Sequence, residues 1–103
     1  MFLGFPVEDP KGTVSLTGYM DVPRDRYPQV KAALEWHITV TRREPGCKLF
    51  EVKPCPDVEY RFLVNEKFVD QAAFDAHQER AANSAWAEVT KRIPRHYEIT
   101  VVE

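Results

Sequence analysis

The stretch NEKFVDQAAFDAHQERAANSAW, residues 65–86, contains the change of hydrophobic period that decides the fold. Before Asp70 apolar and polar residues alternate, as in a half-buried β-strand. After Asp70 the residues Phe74, His77 and Ala81 are spaced three and four apart, which places them on one side of a helix. Asp70 has the residue type of a helix N-cap. A strand therefore leads into an amphipathic helix, and an ionisable ring lies in the apolar stripe of that helix.

The segments on either side of this stretch show the same two periods. Alternation predicts three more strands, and 3.6-residue spacing predicts one more long helix, with Pro28 in its first turn. A shorter helical segment follows the quoted helix and stops at Pro94. The predicted strands are 13–23, 47–54, 58–68 and 96–102, and the predicted helices are 24–46, the one that begins after Asp70, and 84–93.

The element order predicts the α+β class and the ferredoxin-like βαββαβ fold, an antiparallel four-stranded sheet with the helices on one face. Residues 13–103 form one domain, and residues 1–12 form an irregular arm because glycines and prolines interrupt both periods there. Leu49, Leu63 and Val102 fall on the face without helices. Apolar residues on an uncovered face suggest that a second copy of the chain covers it.

Composition excludes several classes of function. The chain has 103 residues, a formal charge of −2 and a sequence pI near 5.9, so it lacks the basic field that nucleic acids require, and we expect no nucleic-acid partner. No apolar run approaches the roughly 20 residues of a membrane span, so we expect no membrane partner and a cytoplasmic protein. Two cysteines, Cys47 and Cys55, are too few for a disulfide framework or a zinc set, and we expect both to be reduced.

The segments TRREPGCKLFEV, NEKFVDQAAFDAHQERAANSAW and IPRHYEITV occur in this order. With them the chain resembles the antibiotic biosynthesis monooxygenase family, and in particular its small quinol monooxygenase-like members. The resemblance extends from Val14 to Val102. Its most specific residues are Arg42, Glu44, Pro45, Gly46, Cys47, Glu66, Phe68, Ala73, Phe74 and His77.

The resemblance implies a homodimer, in which two sheets face each other as a dimeric α+β barrel and each subunit holds a pocket between its sheet and its helices. Family members include oxygenases that act on phenolic or quinol-like aromatics without metal or flavin, as well as haem degraders, an isomerase and proteins of no known activity. The fold alone therefore does not determine the reaction.

His77 is the candidate catalytic base. Oxygenation without a cofactor needs a base that works near neutral pH and a dry aromatic pocket, and an imidazole meets the first need. Glu66 shares a strand face with Val64 and Phe68, close to the same helix, so its carboxylate is expected to orient the ring. The structural alternative is a histidine that fills space and hydrogen-bonds a carbonyl.

Further candidates surround His77. Arg80 is predicted to steady an anionic oxygen, and Trp86 and Phe74 to wall the pocket, although Trp86 is also a candidate core ring. His37, on the core stripe of the first long helix, is predicted to approach the ligand. Tyr19 lies on the polar face of the first strand, which lines either the pocket or the opposing sheet.

Two hypotheses follow. In the first, the protein is a cofactor-independent monooxygenase of small aromatic, phenolic or quinol-type molecules, with no metal, since the histidines at 37, 77 and 96 lack the local spacing of metal motifs. In the second, it is a non-catalytic dimeric domain whose pocket binds a small molecule or serves an interaction. Oxygen uptake that depends on His77 distinguishes the two.

Overall fold

The chain folds as one sheet with its helices packed on one side, in a computed structural model that describes residues 8–103. The elements are β1 (Val14–Asp21), a 3₁₀ turn (Arg24–Arg26), α1 (Tyr27–Arg42), β2 (Cys47–Pro54), β3 (Arg61–Phe68), α2 (Gln71–Ala82), α3 (Ala85–Val89) and β4 (Arg95–Val101). Most of the predicted arm, residues 1–7, lies outside the described residues. Residues 8–12 contain no strand or helix, only a turn at 11–12.

The sheet has the strand order β2-β3-β1-β4, and each neighbouring pair is antiparallel. This confirms the ferredoxin-like prediction. Leu16 of β1 is paired with Glu66 on β3 and with Ile99 on β4. Partners in register point to the same face of a sheet, so Glu66 lies on the same side as the core residue Leu16.

Strand β3 is shorter than predicted. The alternation suggested a start at Val58, but the strand begins at Arg61. Tyr60 has φ 63°, in the left-handed region that an L residue rarely adopts and that a strand cannot contain. The Pro-rich connection after β2 therefore extends to Tyr60.

Helices α1 and α2 bury the faces that their periodicity indicates. Pro28 lies in the first turn of α1, where its missing N–H breaks no helical bond. The buried residues of α1 are Val30, Leu34, His37 and Thr41, and those of α2 are Phe74 and His77. The Asp70 side chain accepts a hydrogen bond from the Ala73 amide at 2.8 Å, which confirms the predicted N-cap.

The two faces of the sheet differ in character. The face under the helices, here called the covered face, carries the core, with Val14, Met20, Phe62 and Phe68 almost fully buried. The other side, the open face, was expected to be apolar. It carries Leu63, which is 41% exposed, together with ion pairs such as Arg61–Asp21 and Lys67–Asp9, so apolar and charged side chains are mixed on it.

None of the helices formed by residues 8–103 is both long enough and apolar enough to cross a bilayer.

Candidate functional site

His77 lies between two carboxylates at the centre of the covered face. Its ring is 3% exposed, and Nδ1 lies 2.8 Å from Oε1 of Glu44. A carboxylate only accepts hydrogen bonds, so Nδ1 carries the proton and Nε2 is left with its lone pair. Nε2 lies 3.8 Å from Oε1 of Glu66. The ring is thus oriented through one nitrogen and free to accept a proton at the other.

The turn after α1 places Glu44 against α2. Gly46 in this turn has φ 88°, and a Cβ at that position would lie 2.7 Å from the Ala73 Cβ. The Gly46 carbonyl accepts a hydrogen bond from the Val69 amide at 2.8 Å. Because Gly46 has no side chain, the turn can approach the start of α2 closely. That approach brings the Glu44 carboxylate to His77, 33 residues further along the chain.

Arg80 holds the other side of Glu44. Its Nε donates to Glu44 Oε2 at 2.6 Å, and one terminal nitrogen, Nη2, donates to Thr41 Oγ1 at 2.9 Å. Glu44 thus bridges two residues of α2 that are three positions apart. Arg80 therefore positions this carboxylate, and the role predicted for it at an anionic oxygen stays a prediction.

Glu66 is buried, and one of its carboxyl oxygens has no hydrogen-bond partner among residues 8–103. The residue is 6% exposed, and its Oε1 makes no hydrogen bond within residues 8–103. Burial, and after it the nearby charge of Glu44, raise the pKa of Glu66 from 4.5 to about 7. A carboxyl group of this kind changes protonation near neutral pH and is typical of functional sites.

His37 and Trp86 form a stacked pair beside His77. Their ring centroids are 4.9 Å apart and their planes differ by 6°, and the His37 centroid is 5.8 Å from that of His77. Burial, and then the positive charge that His77 can carry, lower the pKa of His37 to about 3. His37 is therefore neutral at physiological pH, and its Nδ1 has no hydrogen-bond partner among the described residues.

Two hollows meet at this stacked pair. The inner cavity, about 340 Å³, lies between the helices and the covered face. The outer groove, about 520 Å³, runs between α1 and the segment from the end of α2 to α3. His37 and Trp86 line both hollows. The inner cavity is also lined by Leu16, Glu66, His77, Arg95 and Tyr97, and the outer groove by Ala33, Trp36, Val40 and Arg80.

The structure brings together four of the predicted site residues, His77, Glu66, His37 and Trp86, around the inner cavity. Phe74 packs in the core against Phe68, with ring centroids 5.7 Å apart, and lines neither hollow.

Tyr19 lies on the open face, stacked on His96 at 4.6 Å. The sheet therefore separates it from the cavity, and of the two options left by the sequence it occupies the outward one.

Three contributors to the site were not among the predicted site residues. Glu44 was noticed only within the family motif, because a turn residue gives no periodic signal of where it points. Arg95 and Tyr97 lie on β4, which pairs with β1 and so lines the far side of the cavity. Burial raises the pKa of Tyr97 to about 12, so its hydroxyl stays protonated and can donate a hydrogen bond.

No three His, Cys, Asp or Glu side chains within residues 8–103 are arranged to hold a metal ion together. His96 lies across the sheet from the other two histidines. Both cysteines are free thiols.

Comparison with known proteins places this geometry in a family. The family model described as antibiotic biosynthesis monooxygenase matches residues 13–89. No curated protein is significantly similar to the chain.

Solved structures share the fold over nearly the whole chain. A Nitrosomonas europaea protein named "Putative antibiotic biosynthesis monooxygenase" is 22% identical, with a TM-score of 0.78 over 92% of this chain and 94% of its own. A Shewanella oneidensis protein is 27% identical, with a TM-score of 0.72 over 90% of this chain and 93% of its own. MupZ from Pseudomonas fluorescens is 19% identical, with a TM-score of 0.71 over 96% of this chain and 73% of its own.

Proposed function

The chain belongs to the antibiotic biosynthesis monooxygenase family, and on that premise we propose that it is a cofactor-independent monooxygenase of a small aromatic, phenolic or quinol-type substrate bound in the inner cavity. One observation carries the proposal. His77 is buried, held by Glu44 through Nδ1, and lines the cavity with Nε2 next to the carboxyl group of Glu66.

The chemistry begins with loss of a proton from the substrate. An aromatic anion gives up electrons to dioxygen far more readily than the neutral compound does. For a substrate with an activated CH₂ group, dioxygen is the oxidant. One of its oxygen atoms becomes the new carbonyl oxygen, and the other leaves as water with the two CH₂ hydrogens. The protein must supply a base, stabilise the anion and exclude bulk water.

His77 supplies the base. Nε2 takes the substrate proton, and the resulting imidazolium is stabilised by the Glu44 carboxylate on Nδ1–H and by Glu66, 3.8 Å from Nε2. Burial lowers the pKa of His77, although the hydrogen bond to Glu44 opposes this effect. The ring is therefore neutral and ready to accept a proton at physiological pH.

Arg95 and Tyr97 stabilise the substrate anion. Both line the inner cavity, and the Tyr97 hydroxyl keeps its proton because burial raises its pKa to about 12. Two terminal nitrogens of Arg95 are held by Thr90 and Ile93, so the guanidinium has a fixed position on the cavity wall. A fixed donor and a fixed positive charge favour an anionic oxygen between them.

An oxygen-electrode screen tests this function. Anthrones, hydroquinones and flavonols are offered to the wild type, to His77→Ala and to His96→Ala, which removes an exposed histidine on the open face as a matched control. We expect uptake with at least one class, a loss of at least about 100-fold in His77→Ala, and wild-type rates in His96→Ala. Equal rates in the wild type and in a folded His77→Gln variant would exclude His77 as the base.

The pH profile tests the part played by Glu66. We expect the wild-type rate to rise through about pH 7, where the pKa of Glu66 lies. In Glu66→Gln that limb disappears and the maximal rate falls, because the imidazolium has lost one of its two carboxylates. A Glu66→Gln profile that coincides with the wild-type profile would remove Glu66 from the mechanism.

A second candidate function is a non-catalytic small-molecule-binding or interaction domain. The hydrogen bonds among Glu44, His77 and Arg80 favour it, since they also tie the turn after α1 to α2 as a structural network would. In that case no compound supports oxygen uptake, and His77→Ala changes stability alone.

We also propose that the protein is a homodimer that uses its open face. Leu63 on that face is 41% exposed among ion pairs, and such mixtures of apolar and charged residues are common in interfaces. Sedimentation is expected to give twice the chain mass of 11.9 kDa. Leu63→Glu is expected to give monomers, and a wild-type monomer would contradict the proposal.

A further inference from the structure

The outer groove is separate from the inner cavity and is lined mostly by apolar groups. Helix α1 contributes Ala33, Trp36, His37 and Val40, which recur at helical spacing along one face. Trp86 closes the other side. Ala33 and Trp36 line this groove and not the inner cavity. The stacked rings of His37 and Trp86 form the wall between the two hollows.

Aromatic surface is concentrated in this groove. Trp36 is 66% exposed, although contact with water is unfavourable for a large apolar ring. The only other tryptophan of the chain, Trp86, lines the same groove together with the His37 ring. Three rings around a hollow of about 520 Å³ match the flat faces of an aromatic molecule.

The polar lining comes from the end of α2 and the turn that follows it, and comprises Arg80, Asn83 and Ser84. Arg80 uses Nε and Nη2 to hold Glu44 and Thr41. Neither of these two hydrogen bonds uses its second terminal nitrogen, Nη1. A guanidinium that is already fixed by two partners and keeps a free donor can bind an anionic oxygen with little loss of entropy.

We propose that the outer groove is a second small-molecule site, which binds a flat aromatic molecule carrying an anionic oxygen, a carboxylate or a phenolate. The rings of Trp36 and Trp86 hold the aromatic part, and Arg80 receives the oxygen. The proposal does not depend on catalysis in the inner cavity. The groove binds its ligand even if no oxygen uptake is found.

The two tryptophans make the site directly observable by NMR. The indole N–H signals of ¹⁵N-labelled protein are assigned with Trp36→Phe and Trp86→Phe and followed during titration with 2-naphthoate. We expect both signals to shift with one binding constant. A shift of the Trp86 signal alone would place the ligand in the inner cavity and overturn the proposal, and so would the absence of any shift.

Paired variants and paired ligands sharpen the test. Ala33→Phe fills the groove, and Ala32→Phe adds the same ring at an exposed neighbouring position of α1. We expect an affinity loss of about tenfold or more in Ala33→Phe and none in Ala32→Phe. In the wild type, uncharged 2-naphthalenemethanol is expected to bind several times more weakly than 2-naphthoate. Equal affinities in either pair would overturn the proposal, and well-dispersed spectra show that the variants fold.

Discussion

The two faces of the sheet carry similar side chains in opposite surroundings. On the open face Tyr19 stacks on His96 at 4.6 Å, and the Arg61 guanidinium lies 3.8 Å from the centre of the Tyr19 ring. Arg61 also donates to Asp21 at 2.7 Å. Histidine, aromatic ring, arginine and carboxylate are thus all present there, at the surface of the single chain.

On the covered face a histidine and a carboxyl group are closed off from water. His77 is 3% exposed and Glu66 is 6% exposed. The hydrogen bond from Arg61 lowers the pKa of Asp21, whereas burial raises that of Glu66. The comparison shows that the surroundings of a carboxyl group, rather than the choice of residue, decide the direction in which its pKa is shifted.

The largest expected difference between the faces is the pH dependence of stability in Glu66→Gln. A carboxyl whose pKa is raised by folding favours the folded state below pH 4.5, and this contribution is lost as the pH rises to about 7. The change corresponds to about 3 kcal/mol. Urea unfolding at several pH values is expected to show the variant gaining stability over the wild type between pH 4.5 and 7. A constant difference across that range would contradict the burial of the charge.

A smaller change in stability is expected when the Glu44 carboxylate is removed. Glu44→Ala leaves the buried Nδ1–H of His77 and the Arg80 guanidinium without their partner, and the free energy of unfolding is expected to fall by about 2 kcal/mol. The measurement is urea unfolding at pH 7. Glu35→Ala, at an exposed position of α1, is the control and should unfold almost as the wild type does. A loss as small as that of the control would mean that the network does not stabilise the fold.

On the open face the corresponding carboxylate should matter less. Asp21→Asn removes the partner of Arg61, but within a single chain this pair lies at the surface, where salt screens it. Because the pKa of Asp21 is lowered, its contribution is present above pH 3.8 and is lost as the pH falls through its folded-state value. Thermal unfolding is expected to show a small loss at pH 7 that disappears in 1 M NaCl. A loss of stability as large as that of Glu44→Ala would contradict the expected difference between the two faces.

The smallest effect, here on the rate of oxygen uptake, is expected when Tyr19 is replaced. The sequence left open whether this residue lines the pocket, and the structure places it on the open face. Tyr19→Ala is therefore expected to change the rate of oxygen uptake by less than about twofold, since it touches neither hollow. Tyr97→Phe, which removes a hydroxyl from the inner cavity, should lower the rate further. A larger loss of rate in Tyr19→Ala than in Tyr97→Phe would indicate that the site lies on the open face.

Periodicity predicted the fold, and four of the residues selected from the sequence line the inner cavity. Alternation and helical spacing located the elements. Alternation also placed Glu66 on the strand face of Val64 and Phe68, and helical spacing placed His77 in the apolar stripe of its helix, because both patterns report which face is buried. The predicted start of β3 was wrong, because Tyr60 adopts a left-handed backbone conformation that its residue type does not indicate. Phe74 was predicted to wall the pocket, yet the same stripe also supplies core residues, and its ring meets Phe68 instead.

The contact between Glu44 and His77 could not be predicted from a local sequence pattern. It lies in a turn, 33 residues before His77, and its contact depends on the close approach of Gly46 to Ala73. No spacing rule connects two such positions. Arg80 donates a hydrogen bond to Glu44, and this contact could not be predicted from the spacing of residues on its own helix. The predicted cytoplasmic location stays a prediction.

The central claim is that His77 presents an unprotonated Nε2 to the inner cavity because Nδ1–H is donated to Glu44. Long-range ¹H–¹⁵N NMR correlations of the histidine rings measure which nitrogen carries the proton. At pH 7 the account predicts a neutral His77 ring with the proton on Nδ1, and loss of that tautomer preference in Glu44→Gln. A ring protonated on Nε2, or an imidazolium at pH 7, would contradict it.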